Sequence, residues 1–91
     1  MIKINVSPIS DPSHGWYAVH KEDITSFFAE LITMFSHYSY MDKSFLYLEE
    51  DCDFPLLHST AENKGYEIKF LPDFYSDSDS FVRNLKSFKP F

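Results

Sequence analysis

The chain has 91 residues, enough for one domain spanning 1–91, and carries 14 acidic against 8 basic side chains for a formal charge of −6. Apolar residues make up 44% and aromatic residues 19%, which excludes a disordered acidic tail, because ten Phe, six Tyr and one Trp can fill a small core. The acidity also excludes a surface that itself grips nucleic-acid phosphates, a task that needs a basic face.

Ile2, Ile4 and Val6 alternate with Lys3, Asn5 and Ser7, the period-two pattern of a half-buried strand, and Pro8 is expected to end it. Ser10–Gly15 is a loop by composition, and Trp16–Val19 reads as a second short strand. Ile24, Phe27, Phe28, Leu31, Ile32 and Phe35 fall on one helical face, so a helix is expected through Phe35, with Glu22 and Asp23 in its first turn. Ser36–Tyr40 and Phe45–Leu48, around the polar turn Met41–Ser44, predict a hairpin whose edge could pair two chains.

A second helix is expected to start within Asp51-Cys52-Asp53, where Asp is a favoured N-cap and Pro55 suits the first turn, and to stop at Gly65. Tyr66, Ile68 and Phe70 alternate with Glu67 and Lys69 as a further strand up to Pro72. Residues 73–80 read as an acidic loop and 81–91 as a basic, aromatic tail with one brief strand. The resulting order, β-β-α-β-β-α-β, predicts an α+β domain with a single, mostly antiparallel sheet and two helices on one face.

Charge divides unevenly: residues 1–40 carry −2, residues 41–80 carry −7, and residues 81–91 carry +3. The densest acidic run is Glu49-Glu50-Asp51-Cys52-Asp53. A contiguous run splays its carboxylates, so it reads as a strand end feeding a helix cap or as a partner-facing patch more readily than as a metal site. Asp73, Asp77 and Asp79 lie in a segment that lacks the glycine and closing glutamate of an EF-hand loop. That segment reads as a solvated acidic loop, or as an imitation of spaced phosphates.

Cys52, the single cysteine, stands between two aspartates that disfavour a thiolate, and His14, His20, His37 and His58 lack zinc spacing. Neither a catalytic group, a metal nor a cofactor is expected. No signal peptide is visible, and the stretch Ile24–Phe35 is too short and too amphipathic to span a bilayer, which points to a cytoplasmic protein.

Several motifs taken together, His14-Gly15-Trp16-Tyr17 with Val19, Tyr38-Ser39-Tyr40, Tyr47-Leu48-Glu49-Glu50-Asp51-Cys52-Asp53 and Val82-Arg83-Asn84, resemble a family of small accessory proteins without an established activity. Genes of that family are carried by bacterial plasmids and phages, and the resemblance covers roughly residues 11–84. The chain departs from the pattern at His20, where a proline is expected, and in a slightly longer first helix.

The resemblance implies a setting in which short acidic proteins inhibit host defences, including restriction enzymes and CRISPR effectors. Under that reading Glu49, Glu50, Asp51, Asp53, Asp73, Tyr75, Asp77 and Asp79 face a protein partner with a basic surface. A nucleic-acid-binding defence effector is one partner that reading allows, neither nucleic acid nor membrane is expected to be bound directly, and a monomer or weak dimer is expected. The alternatives are an immunity- or antitoxin-like interaction module and a small thiol- or metal-dependent enzyme.

Overall fold

Ile4 and Val6 are fully buried on strand β1 (Lys3–Ser10), while their neighbours Lys3 and Asn5 are exposed, as the alternation requires. The computed structural model describes all residues, Met1–Phe91. Pro8 does not end β1. Backbone bonds from Glu67 to the Ile2 carbonyl and from Leu71 to the Val6 carbonyl show that the even-numbered residues of β1 bond away from strand β2 (Gly15–His20). The N–H that Pro8 lacks would therefore point to the outer side. On that side the partner is interrupted: β5 (Glu67–Phe70) pairs with Lys3–Val6, and β6 (Phe74–Tyr75) resumes only at Ile9.

The sheet runs β5-β1-β2-β4-β3-β7, with β4 at Phe45–Glu49, β3 at Tyr40–Met41 and β7 at Lys86–Ser87, and β6 also pairs with β1. Both β5 and β6 are parallel to β1, whereas the β1–β2, β2–β4, β3–β4 and β3–β7 pairs are antiparallel. The α+β class stands, but the sheet is mixed, and the acidic loop contributes a strand of its own. Phe45–Leu48 is an inner strand, and the far side of Tyr40–Met41 is taken by β7, so that hairpin edge is occupied within the chain.

The first helix is shorter than its apolar spacing suggests. Helix α1 covers Lys21–Phe27, Phe28 leaves helical geometry at φ −141° and ψ 33°, and a 3-10 turn follows at Ala29–Leu31. Phe28, Leu31 and Phe35 are buried all the same. A spacing of three or four is satisfied by a broken series of turns as well as by one helix. Helix α2 (Asp53–Lys64) ends where expected: Gly65 sits at φ +74°, and its N–H reaches the Glu62 carbonyl at 3.1 Å.

Both faces of the sheet are covered. On one, Ile4, Val6, Val19, Leu46 and Leu48 pack against Ile24 and Phe28 from the first helical region and Phe54, Leu57 and Ala61 from α2. On the other, Ile9, Trp16, Ala18 and Tyr47 surround Val82, carried by a 3-10 turn at Phe81–Asn84. The C-terminal segment is thus a second cover for the sheet, and no helix is long and apolar enough to cross a membrane.

Candidate interaction surface

Strand pairing gathers two acidic segments at one end of the sheet. Ser10, the last residue of β1, pairs with Gly15 at the start of β2 and with Tyr75 of β6. Trp16, next in β2, pairs with Glu49, the last residue of β4, and the Glu50 N–H donates to the Gly15 carbonyl at 3.1 Å. Residues 49–51 and 73–79 therefore lie at the same end of the sheet, on strands β4 and β6 that stand three strand spacings, about 14 Å, apart. Glu50 and Asp73 line one shallow hollow of about 220 Å³ with Pro8, Gly15 and Tyr17. At the opposite end, three lysines, Lys21, Lys43 and Lys86, and one carboxylate, Asp42, ring a second hollow of about 440 Å³ beside Met41.

The eight expected contact residues divide into two groups. Glu50, Asp51, Asp73, Tyr75, Asp77 and Asp79 are exposed. Asp53 is instead buried: its carboxylate accepts the Ser36 N–H at 3.0 Å, the Ser36 hydroxyl at 2.8 Å and the Ser39 hydroxyl. It neither caps α2, whose N-cap is Cys52, nor faces outward. This clamp also explains why residues 36–39 turn instead of extending a strand. Glu49 is buried as well, with Oε1 accepting the N–H groups of Asp51 and Cys52. Both depart from the expected surface role for the same reason: each ties down a turn whose N–H groups need acceptors.

A partly buried ion pair at this end was not visible in the sequence. Arg83 Nε and Nη2 donate to Asp11 Oδ2 and Oδ1 at 2.6 and 3.0 Å. The same carboxylate accepts the N–H groups of Ser13, His14 and Ser80. The Arg83 guanidinium and these N–H groups hold the Asp11 carboxyl well below its ordinary range. Arg83 also lies 5.4 Å from the centre of the Trp16 ring. Its Nε comes within 3.9 Å of Asp79, a carboxylate 90% exposed and left largely to solvent. Asp11-Pro12-Ser13-His14 is a legible Asx turn, but nothing local marks a partner 72 positions away.

Aromatic side chains accompany the exposed acids. Phe74 and Tyr75 on β6 are each 59% exposed, and Phe74 meets the half-exposed Phe81 at 6.4 Å. Cys52 is exposed, and its thiol is pushed up by desolvation and by the carboxylates of Glu49, Asp53 and Asp51. The protonated thiol is a weak nucleophile at neutral pH. No group of three His, Cys, Asp or Glu side chains converges as a metal site would require. A third cleft, of about 500 Å³, lies between Trp16, Tyr40 and Glu49. No family model matches this chain, and neither a curated protein nor a solved structure is detectably similar to it.

Proposed function

We propose that this chain is a non-enzymatic binding protein of a mobile genetic element, working in the host cytoplasm. It inhibits a defence nuclease or nucleoprotein by occupying that partner's basic nucleic-acid-binding surface. The observation that carries the reading is the convergence of Glu50, Asp51, Asp73, Asp77 and Asp79, from two distant segments, at one end of the sheet beside exposed Phe74 and Tyr75. Carboxylates there take the place of phosphates against Arg and Lys of the partner, and the two rings add apolar contact area.

The separation of charge supports the same reading. Acids at one end and Lys21, Lys43 and Lys86 at the other orient the molecule as it approaches a basic channel. The basic tail does not cancel the acidic end, because Arg83 is engaged by Asp11 and Lys86 lies at the far end. The test is affinity capture from a nuclease-treated bacterial lysate, comparing the native chain with Glu50→Lys/Asp73→Lys/Asp77→Lys. A nucleic-acid-binding defence protein retained only by the native chain is the expected result. Equal retention by both chains overturns the assignment.

A further inference from the structure

By strand register, Trp16 stands opposite Glu49, and Tyr40 stands opposite both Tyr47 and Ser87, so Trp16, Tyr40, Glu49 and Ser87 share one face of the sheet. All four line the cleft of about 500 Å³, with Tyr38 and Asp51 at its mouth. Glu49 is 8% exposed, and only its Oε1 accepts hydrogen bonds from the protein. No enclosed side-chain oxygen in the molecule lacks a partner, so Glu49 Oε2 is open to the cleft. The cleft therefore offers, between aromatic rings, one carboxylate oxygen that no protein group donates to, on a side chain otherwise buried.

We infer that this cleft accepts a guanidinium group, the side chain of an arginine displayed on the partner's basic surface; the source of the arginine rests on the function proposed above. A planar cation can stack on Tyr38 or Tyr40 while donating to Glu49 Oε2, with Asp51 adding negative charge at the mouth. An ammonium would gain the charge but not the stacking or the fork. The molecule already shows the chemistry once, where the Arg83 guanidinium packs over Trp16 and is gripped by Asp11. No lysine or arginine lines the cleft, whose only basic side chains are His14 and His37, and Arg83 is engaged by Asp11.

Trp16, the single tryptophan, reports occupancy directly. Its emission is followed while the native protein is titrated with the peptide Gly-Ser-Arg-Ser-Gly, with the same peptide carrying citrulline, and with Nα-acetyl-arginine amide. The arginine peptide is expected to give a saturable change and the neutral citrulline peptide none. Glu49→Gln keeps an oxygen for the Asp51 and Cys52 N–H groups, and is expected to weaken the peptide roughly tenfold, the loss of one charge-assisted contact. Tyr38→Ala, at a 60% exposed position outside both apolar clusters, is expected to weaken it too.

A flat titration, equal binding of the citrulline peptide, or unchanged binding by both variants overturns the inference. The capped amino acid is expected to bind as tightly as the peptide, because the guanidinium makes every assigned contact, and failure of the capped amino acid to bind overturns the inference. The two readings fail separately. Partner capture that survives lysine substitution at Glu50, Asp73 and Asp77 overturns the proposed function and leaves the titration standing. A flat titration beside charge-dependent capture overturns the cleft alone.

Discussion

Arg83 grips Asp11 through two nitrogens across 72 positions of sequence, and in doing so closes the C-terminal segment over the second face of the sheet. The pair lies beside Trp16 and Val82, so it fastens the smaller apolar cluster and leaves the exposed acids Asp77 and Asp79 just upstream of the fastening point. Replacing Arg83 by Met keeps an unbranched apolar stem but leaves Asp11 charged without its cation. The expected outcome is a Tm lower by several degrees and a red-shifted Trp16 emission as residues 80–85 loosen, read in one thermal melt followed by fluorescence.

The same pair sets part of the acid limit of stability. Asp11 is held below its ordinary pKa of 3.8 in the folded protein, chiefly by Arg83. A carboxyl depressed on folding contributes stability that is complete above its unfolded pKa and is lost as the pH falls through that value toward the folded one. The stability difference between the native chain and Arg83→Met should therefore be constant from about pH 5 to 7 and shrink below about pH 4. Urea midpoints across that range measure it, and a difference that grows in acid would contradict the assignment.

Asp53 holds the turn at residues 36–39 from the first position of α2. Asp53→Ala leaves the Ser36 N–H and two hydroxyls without their acceptor in a buried place, at a cost of about 2–3 kcal/mol. For a domain of this size that lowers Tm by roughly 10–20 °C. Asp53→Asn, which retains one acceptor oxygen, should recover part of the loss. Calorimetry on the two variants separates loss of charge from loss of the clamp.

Much of the fold was legible because period and punctuation are local signals. The alternation at Ile4 and Val6, the Pro55 start and Gly65 stop of α2, and the strand at Glu67–Phe70 all came through. What stayed hidden depends on distant partners. Pro8 is tolerated because the neighbouring strand is interrupted opposite it, and Phe28 breaks a helix whose spacing a series of turns satisfies equally well. Phe74–Tyr75 becomes a strand only because Ile9 and Ser10 are there to pair with it. Within the acidic run, exposure could not be assigned: Glu49 and Asp53 turn inward to serve turns, while Glu50 and Asp51 between them stay outside.

Gly65 allows a clean measurement of backbone cost. It adopts φ +74° with open space around the missing Cβ, so Gly65→Ala introduces no clash beyond its own backbone. The expected penalty is about 1 kcal/mol, or a Tm lower by roughly 4–8 °C, with binding unaffected. Parallel melts of the two chains provide the check.

The central claim, that the acidic end of the sheet occupies a basic nucleic-acid surface, is tested most directly by competition. The captured partner is loaded with a labelled DNA duplex and titrated with the native chain or with Glu50→Lys/Asp73→Lys/Asp77→Lys at two salt concentrations. The native chain is expected to displace the duplex, less effectively at higher salt, and the lysine variant to need roughly 100-fold more protein. A ternary complex of partner, duplex and native chain, or equal displacement by the variant, would contradict it.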